Sequence, residues 1–184
     1  MTRDKALNLL NQNIKNQNLK KHCFAVKAGM KELAKYFNEN EEKWGICGLL
    51  HDIDYERVNE DPNLHSKVGA EMLRDLGVEE EICDSIFTHN ETHGLEPKTK
   101  MAKALFCLDP LTGLIVAATL VLPSNKINDL EVKNILNRFK EKSFARGANR
   151  EIIKKCEEYL GLSLEKFVEI NLKAMQNISE QLGL

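Results

Sequence analysis

The chain has 184 residues, and its 26 Lys and Arg nearly balance its 28 Asp and Glu, for a formal net charge of -2. This balance excludes a chain-wide polyanion-binding surface and an acidic tail, and it gives no strong nucleic-acid signal. The length predicts a single domain over residues 1–184. The longest apolar stretch, residues 114–122, is well short of a membrane span and no apolar leader follows Met1, so we expect a soluble cytoplasmic protein with no membrane partner.

Helical periodicity runs along the whole chain and no alternating strand pattern is visible, which predicts an all-α fold. Thr2 is the expected cap of the first helix. Asp109 and Pro110 are expected to separate a helix that opens near Thr99 from a buried helix that is apolar all round. The predicted helices cover residues 2–15, 19–37, 41–51, 65–77, 79–90, 99–109, 111–122, 130–142, 149–160 and 163–182.

Five cysteines are scattered through the chain with no Cys-x-x-Cys pair. Their positions inside apolar faces indicate reduced core thiols in a reducing compartment rather than a structural zinc site. These residues are Cys23, Cys47, Cys83, Cys107 and Cys156.

The stretch Leu49-Leu50-His51-Asp52-Ile53-Asp54 delivers a histidine and two carboxylates at the end of an apolar helix. A carboxylate beside an apolar core is costly unless it is paired or bound to a metal, and imidazole is its commonest companion on a divalent transition ion. The alternative is that His51 caps the helix and Asp52 begins a turn. Asp54 is a candidate proton acceptor or water-orienting group, although it would equally cap a turn.

Other histidines and one aspartate also fall on inward faces of predicted helices. His22 lies on or beside the apolar stripe of the second helix, and His65 opens the helix that continues through Gly69 and Ala70, two small residues that would let another helix approach. His89 lies on the core side of its helix, whereas His93 follows it in a loop. Each of these residues, including Asp109, has an adequate structural role when taken alone.

Together these groups have a better shared explanation. His22, His51, Asp52 and Asp109 lie on three helices that can converge, and such nitrogen and oxygen donors suit a divalent ion of Mn, Fe, Co, Ni, Zn or Mg. With Asp52 as a bridge, His65 and His89 could hold a second ion a few ångströms away. One or two ions per chain are therefore expected.

The ordered series His22, His51-Asp52, His65, His89 and Asp109 resembles the ligand series of the HD-domain metal-dependent phosphohydrolases. The resemblance covers about residues 19–122, which would form the metal-binding core of an HD-like helical bundle, with a C-terminal helical extension at about residues 129–184. It implies hydrolysis of a phosphomonoester or phosphodiester, often of a nucleotide, and it implies that Asp52 holds both ions. A small phosphorylated substrate is therefore the expected partner.

The chain departs from the pattern of the symmetrical dinucleoside tetraphosphate hydrolases in that family. Tyr55 stands where they carry a lysine, and His89-Asn90-Glu91-Thr92-His93-Gly94 stands where they carry His-Thr-x-Gly. These differences argue against that substrate. They also leave open whether His89 or His93 is the ligand, although helix phase favours His89.

A basic segment in the C-terminal half offers groups that could grip a substrate phosphate, since arginine suits bidentate contacts. The alternative is a solvated basic face on a connecting loop. The residues concerned are Lys140, Lys142, Arg146 and Arg150. Two other functions remain open at this point: a noncatalytic metal- or nucleotide-binding regulatory module, and a purely structural helical bundle.

Overall fold

The computed structural model describes every residue from Met1 to Leu184 and contains helices but no strand, so the all-α prediction is confirmed. Two short 3-10 helices, Glu91–His93 and Ile127–Asp129, lie between the longer elements. The α-helices are α1 (Arg3–Asn13), α2 (Gln17–Phe37), α3 (Glu41–Leu50), α4 (Lys67–Asp75), α5 (Glu80–His89), α6 (Lys100–Leu120), α7 (Val132–Lys140), α8 (Arg150–Lys154), α9 (Cys156–Leu160), α10 (Leu164–Gln176) and α11 (Ser179–Leu182).

Two long helices form the centre of the bundle. Helix α2 packs against α3, α6 and α10, and α6 also packs against α5, α8 and α9. One continuous hydrophobic cluster joins these helices and extends from Ala6 on α1 to Leu182 on α11. The C-terminal helices therefore pack on the same core as the helices that carry the predicted ligands.

Polar caps begin the helices that lead to the candidate ligands. The Asn40 side chain accepts a hydrogen bond from the Lys43 backbone at the start of α3, and Thr99 does the same for Ala102 at the start of α6. Helix α4 is closed by Gly77, whose φ of 72° is the left-handed conformation that glycine adopts most readily.

Helix α6 runs without interruption through Pro110, so the predicted break between residues 109 and 111 is wrong. Proline removes one helical hydrogen bond, but burial of apolar side chains on both sides of it, such as Leu108 and Leu111, keeps the two halves in one helix. By length and composition, α6 could cross a membrane, whereas the apolar stretch at residues 114–122 alone is too short to do so. However, 67% of the most apolar part of α6 is buried inside the bundle, as in a core helix.

Other boundaries also differ from the prediction. Helix α4 begins at Lys67 because Ser66 has a φ of 68°, which no helix contains, and His65 therefore lies in the turn before it. The helix predicted over residues 149–160 is divided at Lys155 into α8 and α9. The last predicted helix is divided at residues 177–178 because Ile178, with φ -121° and ψ 23°, leaves the helical conformation.

Candidate metal centre

Six side chains from separate parts of the chain meet in one place. His22 comes from α2, His89 is the last residue of α5 and Asp109 lies in the middle of α6. His51 caps the C-terminus of α3, and the turn that follows carries Asp52. His65, from the turn before α4, completes the group. The structure thus brings together all six residues that the sequence singles out as ligands.

Two of the four histidines are oriented by backbone carbonyl groups. The Nδ1 atom of His51 lies 2.9 Å from the carbonyl oxygen of Gly48, and Nδ1 of His89 lies 2.6 Å from that of Ile86. Because a carbonyl oxygen can only accept a hydrogen bond, each Nδ1 carries the proton. In the neutral ring, each Nε2 then keeps its lone pair for another partner.

The other two histidines are oriented by side chains. Nδ1 of His65 donates to Oδ1 of Asp54 at 2.9 Å. The Thr112 hydroxyl donates to the Asp109 carbonyl oxygen, so its oxygen is free to accept from Nδ1 of His22 at 3.1 Å. Thr112 is a supporting residue that the sequence analysis missed, although its place one turn after Asp109 on a buried helix was a usable signal. All four histidines therefore present Nε2 to the centre, the arrangement expected of metal ligands held by outer partners.

One half of the centre, called site A, consists of His22, His51 and Asp109, whose ligand atoms lie within 4.8 Å of one another. The two Nε2 atoms of His22 and His51 are 3.1 Å apart. Oδ1 of Asp109 lies 2.9 Å from Nε2 of His22 and 3.6 Å from Nε2 of His51. Two nitrogen lone pairs and a carboxylate oxygen therefore face the same small space.

The other half, called site B, consists of Asp52, His65 and His89, again with ligand atoms within 4.8 Å. Oδ1 of Asp52 lies 3.3 Å from Nε2 of His65 and 3.5 Å from Nε2 of His89. The second oxygen, Oδ2, lies 3.5 Å from Nε2 of His22 in site A. Asp52 thus lies between the two sites, as a bridging ligand would.

The chemistry of this donor set fits divalent cations. Lone pairs and carboxylate oxygens repel one another unless positive charge separates them, and nitrogen with oxygen donors suits first-row transition ions. Protons supply that charge in the absence of metal. Burial opposes a charge on His51, but the negative charges of Asp52 and Asp109 outweigh it and raise the pKa of the imidazole well above its usual value. Burial likewise opposes ionisation of Asp52, yet His51 holds the pKa of this carboxyl well below its ordinary value.

Asp54 lies outside the donor set. Its side chain is fully buried, with Oδ1 bonded to His65 and Oδ2 accepting from the Gly69 backbone N–H at 2.7 Å. Both oxygens are therefore engaged away from the cleft. This geometry favours a supporting role, in which Asp54 orients His65, over the proton-acceptor role that the sequence predicts.

His93 is turned away from both sites. Its Nε2 lies 2.8 Å from the carbonyl oxygen of His65, and its ring packs on Phe87. His89, by contrast, is buried with Nε2 directed at Asp52. Of the two histidines that the sequence leaves open, the structure puts His89 among the donors.

Two further residues lie against the centre without having been predicted to do so. The Sγ atom of Cys23 is within 4.8 Å of ligand atoms of His51 and Asp52. Burial and the nearby carboxylates of Asp52 and Asp109 raise the pKa of this thiol well above its usual value, so it remains protonated. The Tyr55 ring meets His65 edge-on, with 5.0 Å between ring centroids, and faces the cleft.

A cleft of about 560 Å³ opens beside sites A and B. Its far wall is formed by residues 145–149, including Arg146, and apolar side chains such as Leu19 and Phe106 complete it. Lys140 and Lys142 are exposed and do not line the cleft. Of the basic residues predicted to grip phosphate, the structure thus brings only Arg146 to the cleft.

Arg150 is used within the protein itself. Its guanidinium donates to five backbone carbonyl groups of the preceding segment and so fixes the wall that carries Arg146. Burial lowers the pKa of this guanidinium. The acceptors are Phe139, Glu141, Phe144, Ala145 and Ala148.

Known proteins provide an independent comparison. The chain is 31% identical to ribonuclease Y of Lawsonia intracellularis over 139 residues, and 33% identical to ribonuclease Y of Thermotoga petrophila over 140 residues. Each alignment covers 74% of this chain but only 26% and 27% of the relative, respectively, so the chain spans about a quarter of the length of these proteins. An uncharacterised protein of Methanocaldococcus jannaschii is 38% identical over 85 residues, which are 44% of this chain and 48% of that protein.

No solved structure matches the chain. The family model described as HD domain matches residues 19–114, more than half of the chain, and that range holds all six donors of sites A and B. Members of this family are generally metal-dependent phosphohydrolases. The chain therefore belongs to the HD-domain family.

Proposed function

We propose that the chain hydrolyses a phosphoester of a nucleotide or short RNA in the cleft beside sites A and B. The observation that carries the proposal is the convergence of four Nε2 atoms and two carboxylates on two adjacent sites beside an open cleft. His22, His51 and Asp109 would hold one divalent ion and His65 with His89 a second, with Asp52 between them. When bound, such ions supply positive charge that polarises a phosphate ester and lowers the pKa of water, so that a nucleophile is available near neutral pH.

The side chains of the protein would do the remaining work. The fixed Nδ1 partners hold each imidazole in the tautomer that binds metal, and Asp54 keeps the His65 ring in register with Asp52. Arg146, on the opposite wall, offers planar donors to a phosphate oxygen. The apolar side chains of Leu19 and Phe106 leave room for the organic part of the substrate, such as a base.

The choice of a nucleotide or RNA phosphodiester draws on the relatives, since several carry the name ribonuclease Y. A phosphomonoester is the second candidate. Outside the donor set, Arg146 is the one basic group that lines the cleft, and it could contact a single terminal phosphate. We include a cytoplasmic location in the proposal because the five cysteines are buried and unpaired, which suits a reducing compartment.

The test is hydrolysis by metal-free protein to which Mn²⁺ has been returned, with bis(p-nitrophenyl) phosphate, p-nitrophenyl phosphate and a short single-stranded RNA as substrates. Asp52→Asn should reduce turnover by at least about 100-fold, because it removes charge shared by both sites. Asp75→Asn is the matched control, since Asp75 is exposed on α4 and away from the cleft. Equal activity in wild type and Asp52→Asn would reject the proposal.

The alternative is a regulatory module that binds metal or nucleotide without turnover. Elemental analysis of wild type and His65→Ala separates the possibilities. Two ions falling to one, together with hydrolysis, supports the enzyme. Metal binding with no hydrolysis of any of the three substrates supports the module.

A further inference from the structure

Two side chains fasten the turn that carries His65 to the end of α5. Nδ2 of Asn90 donates to the carbonyl oxygens of Pro62 and His65, at 2.8 and 3.1 Å. Nε2 of His93 lies 2.8 Å from the same oxygen of His65. We call Asn90 and His93 the clasp. Because both closely follow His89 in sequence, the clasp joins the backbone of one histidine of site B to that of the other.

The chemical state of His93 follows from this contact. A carbonyl oxygen can only accept, so Nε2 of His93 carries a proton and donates it to His65. The ring is also packed on Phe87, with 5.1 Å between ring centroids. His93 therefore acts on the backbone of a candidate ligand, and its Nε2 has no lone pair to offer a metal.

The held turn contains a conformation that is rare for an L-amino acid. Ser66 has φ 68° and ψ -34°, and it is fully buried. Its hydroxyl donates to the Phe87 carbonyl oxygen at 3.0 Å. Hydrogen bonds to α5 and to the segment after it thus hold both the strained residue, through the Ser66 hydroxyl, and the residue before it, through the His65 carbonyl oxygen.

We propose that His93 and Asn90 are positioning residues for site B. By holding the His65 backbone they keep Nε2 of His65 at 3.3 Å from Oδ1 of Asp52, and so set the affinity of the second of two metal ions. None of the hydrogen bonds of Asn90 or His93 reaches a residue of site A. The inference rests on the proposed metal centre, and it requires that the two ions respond differently to loss of the clasp.

The experiment is a titration of metal-free protein with Co²⁺, in which calorimetry and the visible absorption of bound cobalt report each binding step. Wild type should bind two ions. His93→Phe keeps a ring against Phe87 but removes the donor, so the second ion should bind about 10- to 100-fold more weakly while the first is unchanged. His93→Gln supplies an N–H donor in place of Nε2 and should restore most of the lost affinity.

Thr92→Ala is the matched control, because the Thr92 side chain is exposed between the two clasp residues and should leave both affinities unchanged. Circular dichroism and thermal melting of the metal-free variants check that each is folded. An unchanged second ion in His93→Phe, an equal loss at both ions, or failure of His93→Gln to restore binding would overturn the inference.

Failure of the inference and failure of the proposed function are distinguishable because the titration contains no substrate. A protein that binds two ions and loses only the second in His93→Phe, yet hydrolyses nothing, would overturn the proposed phosphohydrolase and uphold the clasp. A protein that hydrolyses phosphoesters but binds both ions equally well in wild type and His93→Phe would do the reverse.

Discussion

The carboxylate of Asp54 lies directly against the backbone of Gly69. Oδ2 accepts from the Gly69 N–H at 2.7 Å, and a Cβ atom added at position 69 would lie 3.1 Å from Cγ of Asp54. The small residues at the start of α4 were expected to admit another helix. The group that lies close to Gly69 is instead the carboxylate of Asp54, which orients His65.

Gly69→Ala should therefore weaken metal binding without touching a ligand. Asp54 is held on both oxygens, so it can make room for the new methyl group only by moving with the His65 ring. We expect affinity at site B to fall by about tenfold, within the range seen for outer partners of metal ligands. Metal titration measures the effect, and site A serves as the internal control. Unaltered affinity at site B would show that Asp54 gives way freely.

Asp54→Asn tests the same support by changing its hydrogen-bonding capacity. The His65 ring and the Gly69 N–H donate to different oxygens of Asp54, so in asparagine one of these two donors would face an NH2 group instead of an acceptor. We expect about 10- to 100-fold weaker metal binding at site B, and activity restored when metal is raised to saturation. A loss of turnover that persists at saturating metal would instead support the proton-acceptor role predicted from the sequence.

Arg150→Lys should loosen the wall that carries Arg146. An ammonium group has three donors and cannot reproduce the five contacts made by the guanidinium. We expect a loss of roughly 1–3 kcal/mol in unfolding free energy, measured by urea denaturation, and a raised KM with little change in kcat. Lys154→Arg on the same short helix is exposed and should be neutral. A neutral Arg150→Lys would mean that the wall is fixed by other contacts.

Metal binding should release protons at neutral pH. Burial opposes a charge on His65, but hydrogen bonds to Asp52 and Asp54 outweigh it and raise the pKa of this imidazole to about 9. Below that pH a metal must displace the proton, so the apparent affinity should rise as the pH rises towards 9, by about tenfold per unit for each proton released.

The same shift in pKa predicts the stability of the metal-free protein. Because the folded-state value is raised, the contribution of His65 is complete below its ordinary pKa of 6.5 and is lost as the pH rises through about 9. Calorimetry in two buffers of different ionisation enthalpy counts the protons, and urea denaturation against pH measures the stability. Zero proton release at pH 7 would contradict this assignment.

Gly29→Ala tests the packing of α2 on α10. A Cβ atom there would lie 2.5 Å from Oδ1 of Asn171, a buried oxygen with no hydrogen-bond partner, and 2.8 Å from a methyl group of Leu108. We expect a loss of about 1–3 kcal/mol in unfolding free energy. Gly113→Ala on α6 meets no atom within 4 Å and should be neutral or stabilise by up to about 1 kcal/mol. Equal effects from the two changes would show that the α2–α10 contact adjusts.

The amino-acid sequence carried enough information to predict the helical class and most helix starts. Periodic apolar residues and helix-start residues such as Thr2 and Thr99 are local signals, and both of these residues cap the helices that follow them. Pro110 misled the prediction because its local preference to break a helix is outweighed by burial of its neighbours. The division at Lys155 had no comparable signal in the sequence.

The convergence of six candidate ligands was predictable for a different reason. Histidines and carboxylates on the inward faces or ends of apolar helices are each explicable alone, and it was their occurrence together, as in His22, His51 and Asp109, that indicated a metal site. The supporting roles were harder to predict, because they depend on contacts across the fold: Asp54 was expected to accept a proton rather than to orient His65, and Thr112 offered only its place one turn after Asp109. The sequence left His93 open beside His89, because the contact of His93 with a distant backbone carbonyl cannot be read from the sequence.

The positions of the ligands along the chain also concern how the protein persists in its folded form. His22 and His51 are 29 positions apart, and the support that Thr112 gives to His22 spans 90. An ion held at this point would join segments that are remote in the chain, and because such a site exists only in the folded protein, the free energy of binding would add to the free energy of unfolding. The lifetime of the protein during metal starvation would then be limited by unfolding and proteolysis, so its abundance would follow the supply of the ion.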